Sequence, residues 1–343
     1  MPTTREYHSL AQVRDALQGR LDRDTVPGLF GRFDWFDLLH RHCLADVPVR
    51  VVMSEDNGAQ AWLILLEHES RRLSALANWY SFDWSPLFTG KPDAAQRAHV
   101  LDTLSRHLLR TASQIDLYPV ESSVELLASL RRTGWFALSR PMGGRHVLAV
   151  AGRDFATYWA SRPGRLRTLV RRRARANRYD LSISDRLTDD LWRDYVDVHG
   201  RSWKEAEPGL NFLRALVEQE SDAGTLRLGF AREADGNRGR AVATQLWTVE
   251  NGVALIHKLS HDRAHDAGSP GTLLSHAMFA QAIDGDRVAM IDYGTGDNPY
   301  KSDWMEERVP LQRIDAFNPR HASNWLPAAR TAISALVGKG GND

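Results

Sequence analysis

The chain has 343 residues, 43% hydrophobic and 25% charged, which excludes a disordered or collagen-like polymer and gives room for about two domains. Its 44 Lys+Arg against 43 Asp+Glu leave a net charge of +1, so overall charge points to no polyionic partner. Cys43 is the only cysteine, which rules out an internal disulfide or a cysteine metal cluster and suits a reducing cytoplasm.

The N-terminal segment has no apolar h-region of a signal peptide, and no stretch reaches the ~18 apolar residues of a membrane span. Hydrophobic spacing predicts helices over 9–19 and 30–42, the second with Phe33, Phe36, Leu38 and Leu39 in one stripe. Strands at 47–53 and 59–66 flank Asn57-Gly58, a hairpin signal. A helix at 94–110, a strand at 114–120, a helix at 124–132 and strands near 135–138 and 146–150 complete this half, which carries no catalytic motif. The aromatic run from Asn78 to Trp84 packs as a plug on the sheet or lines a pocket.

Residues 162–178 hold eight arginines and no acid, leaving the rest of 151–343 with seven more acids than cations. A helix is predicted from Ser161 to Asn177, with Pro163 in its first turn and Leu166, Leu169, Val170 and Ala174 as an apolar stripe. Arg167, Arg171, Arg175 and Arg178 follow at spacings of four, four and three on a neighbouring face. That face is either solvated or a phosphate-binding surface for a coenzyme, a tRNA or a nucleotide sugar, because guanidinium forks match phosphate oxygens. No DNA-binding motif accompanies it, so no DNA partner is expected.

Next come a strand at 181–184, a helix at 189–200 capped by Thr188, a helix at 210–222, and strands at 226–232, 241–249 and 253–259. Turns are expected at 235–237 and 250–252. Gly268-Ser269-Pro270-Gly271-Thr272 leads into a helix ending near 283, with Ser269 as N-cap and Pro270 at N1. The junction is a plain helix start or an anion cradle formed by the N–H groups of Gly271, Thr272 and Leu273. It is neither a Walker A loop nor a Rossmann fingerprint. A strand at 288–292, a loop from Tyr293 to Trp304 and a strand at 311–317 follow. His257, His261 and His265 lie four apart, but on a strand and a loop rather than a helix, so no metal centre is expected.

Five segments in order carry a family resemblance. They are the helix Leu166 to Arg175, Arg201-Ser202-Trp203, Ala241-Val242-Ala243, Ser269 to Leu274, and Ile291 to Asp297 with Tyr300-Lys301. Residues from about 150 to 310 resemble the GNAT acyltransferase superfamily, in the FemAB-like branch often described as cellulose-biosynthesis-associated acetyltransferases. Ser81 to Pro86 is similar to the same branch, whose members often hold two GNAT-like halves. The family's pyrophosphate loop is written Q/R-x-x-G-x-G/A; its counterpart here, Asp266 to Thr272, departs from that spelling.

The resemblance implies an α+β protein with two GNAT-like halves, each a mixed, mostly antiparallel sheet flanked by helices. The halves would be residues 1–150, non-catalytic, and 151–320, the acyltransferase, before a tail at 321–343 with a short helix. It implies direct transfer from acetyl-CoA or another acyl-CoA to an amine or hydroxyl on a sugar or cell-envelope precursor. Pantetheine would lie between the strands ending near Leu259 and Asp292. Asp297, preferred, and Asp292 are candidate bases; Tyr293 or Tyr300 would protonate the thiolate; Lys301 would neutralise charge. Gly268, Ser269, Pro270, Gly271, Thr272, Leu259, Arg171 and Arg175 would bind the donor. Two alternatives stand: aminoacyl-tRNA as donor, as in FemAB relatives, and a non-enzymatic polyanion-binding protein.

Overall fold

The computed structural model describes residues 2–202, 207–234, 239–296 and 298–337. They form two compact units, Met1–Gly143 with Pro310–Asp343, and Gly144–Val309.

The first unit opens with β1 (Thr3–Tyr7), α1 (Leu10–Leu17), α2 (Phe33–Cys43), β2 (Val49–Asp56) and β3 (Ala59–His68). Asn57 and Gly58 both take positive φ, 51° and 81°, so the register Asp56↔Ala59 closes as a two-residue hairpin. Then come β4 (Arg72–Ala75), β5 (Leu87–Thr89), α3 (Ala94–Thr111), β6 (Gln114–Val120), α4 (Val124–Arg132) and β7 (Phe136–Ala149), the last shared with the second unit. Asp93 and Gln96 form a capping box that starts α3, which buries Val100, Leu101, Leu104 and Leu108. The aromatic run is a plug: Tyr80, Phe82 and Trp84 are buried, and Trp84 Nε1 donates to Ile64 O at 3.1 Å. Spacing gave no sign of β1, β4 and β5, which are short edge or bridging pieces.

The two strands expected near 135–138 and 146–150 are one, β7. Gly144 within it permits close passage: a Cβ there would meet the Arg308 guanidinium at 2.9 Å.

The second unit adds α5 (Phe155–Ala160), α6 (Gly164–Arg175), β8 (Tyr179–Ser184), α7 (Asp189–Gly200), α8 (Leu210–Asp222), β9 (Leu226–Glu233), β10 (Ala241–Glu250), β11 (Val253–His261), α9 (Pro270–Ala280) and β12 (Met290–Thr295). Its strands run in the order β7-β12-β11-β10-β9-β8, antiparallel except for β11 beside β12. α6 starts one residue after Pro163, which stands at the N-cap, not within the first turn. α9 packs on β9, β10 and β11, with Phe279 edge-on to Trp247. The other face of β10 meets α7.

β13 (Glu307–Phe317) and α10 (Trp325–Val337) end the chain. Pro310–Asp343 group with the first unit, whereas the sequence reading ended the second half at 320 and set 321–343 apart as a tail. Two asparagines account for this: Asn318 Nδ2 donates to Leu109 O and Ala112 O, both at 2.8 Å, and Asn324 Nδ2 to Ser113 O at 2.6 Å.

Candidate active site

Parallel strands β11 and β12 pair only over Val253↔Met290, Ala254↔Ile291 and Leu255↔Asp292. β11 then continues to His261 and β12 to Thr295 without pairing to each other, so the sheet opens as a wedge. In β11 His257 is an extra residue: Leu246 faces Lys258 and Trp247 faces Ile256.

A cavity of about 840 Å³ occupies the wedge. Leu166, Leu169, Leu259 and Trp304 give it apolar walls; Ser269, Gly271 and Thr272 stand at one end, and Ser275, Tyr293 and Tyr300 supply hydroxyls. Leu166 and Leu169 belong to the stripe of the arginine helix, so that helix contributes its apolar face to the cavity. A cavity with apolar walls, a helix start at one end and several polar groups suits a flexible arm ending in charged groups.

The start of α9 differs from the expected cradle. Ser269 takes φ 55° and ψ 46°, and its hydroxyl caps nothing. Leu273 N–H makes an ordinary helical bond to Ser269 O, and Thr272 N–H shares that carbonyl, both at 3.2 Å. Pro270 has no N–H, so the cradle contracts to Gly271 N–H. Gly271 is needed for space: a Cβ there would stand 3.3 Å from His261 Nδ1. Gly268 is closed off from the cavity, since a Cβ on it would strike the Tyr179 hydroxyl at 2.0 Å. His261 Nε2 in turn lies 2.7 Å from Asp266 Oδ1. The sequence singled out His261 as one of three histidines four apart, but not its pairing with Asp266 or the exposed Arg263 beside it.

On the opposite wall, Tyr293 is buried and Tyr300 is 41% exposed. Tyr293 stands edge-on to Tyr300, and Gln245 Nε2 donates to Ser275 Oγ at 2.7 Å. Burial pushes the Tyr300 phenol up, with the Tyr293 hydrogen bond opposing it. Asp292 does not reach the cavity: it is fully buried, with Oδ2 2.7 Å from Arg145 Nη1 and Oδ1 accepting from Gly294 N at 2.8 Å. Lys301 is buried too, its ammonium donating to Tyr293 O, Gly294 O and Thr295 O at 3.0, 3.3 and 2.6 Å. It ties down the end of β12. Asp297 and Trp203 lie outside the described residues. Arg171 and Arg175 are exposed on α6.

The face of β10 and β11 turned away from α9 is polar. Thr244 and Ser260 sit opposite each other, both buried, with neither hydroxyl bonded. Lys258 Nζ lies 2.6 Å from Glu207 Oε2, and His199 Nε2 4.0 Å from the same oxygen. The Tyr195 hydroxyl is buried, unbonded and close enough to Glu207 to feel its charge. Tyr195 and His199, four apart on α7, share one helix face, a spacing the sequence displayed but which carried no motif. Among the described residues no group of three or more His, Cys, Asp or Glu is placed to hold a metal.

Comparisons with known proteins follow from this geometry. A family model described as an acetyltransferase (GNAT) domain matches residues 161–302. No curated protein sequence matches. A domain assigned as the C-terminal part (DUF2156) of a lysylphosphatidylglycerol synthetase from Agrobacterium fabrum superposes with a TM-score of 0.58 at 13% identity, over 96% of this chain and 97% of that one. FemX gives a TM-score of 0.58 at 10% identity, over 92% and 98%. L-PGS from Bacillus licheniformis gives 0.53 at 13% identity, over 78% and 84%. At such identities these likenesses speak for the fold, a mixed α+β architecture spanning both units. The matched stretch, residues 161–302, coincides with the splayed strands and their cavity, so this part of the chain is similar to the GNAT acetyltransferase domain.

Proposed function

We propose that the protein transfers an acyl group, most simply acetyl, from acyl-CoA directly to an amine or hydroxyl of a sugar or cell-envelope precursor in the cytoplasm. The observation that carries this is the wedge past Leu255↔Asp292, filled by a cavity whose end is the N-terminus of α9. Pantetheine fits between the Leu166, Leu169 and Leu259 walls, and the phosphates meet Gly271 N–H, Arg263 and the exposed face of α6.

The acceptor nitrogen or oxygen attacks the thioester carbonyl carbon, the C–S bond breaks, and the thiolate takes a proton. Tyr300 gives that proton: it lines the cavity, and its raised pKa keeps it protonated at neutral pH. Lys301 is a positioning residue that fixes Tyr293 and the backbone beside it. Asp297, three residues before Tyr300, takes the acceptor's proton. The seam of Tyr195, His199, Glu207 and Lys258 on the other face of β11 receives the acceptor.

Isothermal calorimetry and thermal shift with acetyl-CoA test the reading. At a hundredfold excess over Kd the ligand stabilises by about 2.7 kcal/mol. Exposed Arg171, Arg175 and Arg178 favour a second reading, aminoacyl-tRNA as donor. Stabilisation by tRNA and none by acyl-CoA would establish that reading instead; anion binding with no turnover from either donor would leave a polyanion-binding protein.

A further inference from the structure

The first unit holds a second cavity, of about 480 Å³, between the turn before β4, the start of β6 and the start of α10. Arg71, Arg72 and His321 line it together with Ser113 and Asn324, and no carboxylate does. Both arginines are exposed, with no acid at ion-pair distance among the described residues. Ser70 and Arg71 are held in consecutive left-handed conformations, φ 57° and 58°, fixed by Ser113, whose Oγ donates to Ser70 O and whose N–H donates to Arg71 O.

Pro327 of α10 forms part of the same wall, so the cavity adjoins that helix. Trp325, Leu326 and Ile333 fall within about 100° of arc on α10. All three face water, 67%, 61% and 62% exposed. Residues 318–342 contain Arg320, Arg330 and Lys339 and no acid, in a chain with 43 acids. A helix that turns its apolar stripe outward beside an acid-free cationic pocket is complementary to a surface that is anionic outside and apolar beneath. A second copy of the chain fits less well: three side chains fall short of the roughly 800 Å² per partner of a stable interface. No helix among the described residues is long and apolar enough to cross a membrane, so α10 would lie in the interface.

We propose that α10 docks on anionic phospholipid membranes, with Arg71, Arg72 and His321 receiving a headgroup phosphate. The site is independent of the acyl-transfer reading. The test is flotation of the full chain with vesicles of phosphatidylcholine alone and of phosphatidylcholine mixed with phosphatidylglycerol. The protein should float with the mixed vesicles only, less so as salt is raised. Arg71→Gln and Arg72→Gln should each weaken binding roughly fivefold. Leu326→Ser with Ile333→Ser should abolish it, while the melting temperature and acyl-CoA binding stay put, because exposed substitutions are nearly neutral for folding. Equal binding to both vesicle types, or to neither, overturns the proposal. So does a dimer in light scattering that the two serines dissociate, which would make the stripe a self-interface. Binding of inorganic phosphate that needs Arg71 and Arg72, without vesicle binding, would make the cavity a site for free anions.

Discussion

Tyr300 stands edge-on to Tyr293, ring centroids 5.9 Å apart and planes at 73°. The two phenols are neighbours but do not share an environment. Burial raises both, Tyr293 well above the usual tyrosine value, and the bond between them works against burial only at Tyr300. The more accessible phenol is therefore the easier of the two to deprotonate, while still protonated at neutral pH. Tyr300→Phe should lower kcat by roughly 10²-fold, the low end for losing a general acid, with acyl-CoA affinity and melting temperature nearly unchanged. Tyr293→Phe should leave kcat nearly unchanged, because the more deeply buried phenol is the harder of the two to deprotonate. If Tyr300→Phe keeps full activity, the thiolate takes its proton from elsewhere.

Asp297→Asn keeps side-chain size and a capping oxygen but removes the basic site. A general base predicts a fall in kcat of roughly 10²–10⁴ with acyl-CoA binding retained. A capping role predicts no change in rate or stability, because Asn caps as well as Asp does. Rate and melting temperature on this one variant decide between them.

Gly271→Val places a branched side chain against His261, where even a Cβ would stand 3.3 Å from Nδ1. Acyl-CoA affinity should drop at least tenfold, about 1.4 kcal/mol. His261→Ala in the same chain clears the space on that side. If the double variant regains affinity, the valine acted by displacing His261 from Asp266; if it stays weak, the valine blocks the ligand itself.

Most of this architecture was legible in the sequence, for reasons that differ by element. Thr188 capping α7, the span of α8 and the Asn57-Gly58 turn are local signals, and they appear where their chemistry requires. The five ordered segments placed the wedge, and Leu259, Tyr293 and Tyr300 do line it. What was not legible depends on partners far along the chain. Asp292 at a strand end and Lys301 in the loop after it look like site groups, yet Arg145, 147 residues away, buries the first and three carbonyls hold the second. The contraction of the anion cradle follows from the left-handed backbone of Ser269, which no residue preference announces for a serine. Asn318 and Asn324 moved the unit boundary through side-chain bonds to backbone some 200 residues earlier.

The Lys258–Glu207 pair is poorly exposed, with side chains 17% and 5% accessible. Glu207→Gln leaves a largely buried ammonium without its counter-charge, a change that costs about 3–5 kcal/mol in comparable pairs. The variant should melt several degrees lower. Glu207→Leu combined with Lys258→Met removes both charges and should recover most of that stability. If the recovered double variant is also inactive while still binding acyl-CoA, the pair serves the acceptor; if it is active, the pair is structural.

His257 gives a pH prediction. Its imidazole is pushed down to about 3, chiefly by burial and then by the neighbouring Lys258 charge, and its Nε2 shares a hydrogen bond with Thr248 Oγ1 at 2.9 Å. In the unfolded chain the same ring titrates near 6.5. Between those values the unfolded state holds the extra proton, so the stability tied to neutral His257 is complete above pH 6.5 and is lost as pH falls towards 3. From pH 6.5 to 5 the loss should reach about 2 kcal/mol, read from urea midpoints. His257→Gln keeps a polar partner for Thr248 and cannot titrate. Its stability should fall much less over the same interval, the remaining slope coming from His276, which burial also lowers. The carboxylates held low by hydrogen bonds, Asp197, Asp262 and Glu306, lose their share only below about pH 4.5, outside that window. Equal slopes for the variant and the wild type would mean that His257 is solvated and charged in the folded protein, and the bulge would then present a cation, not a neutral ring, beside Lys258.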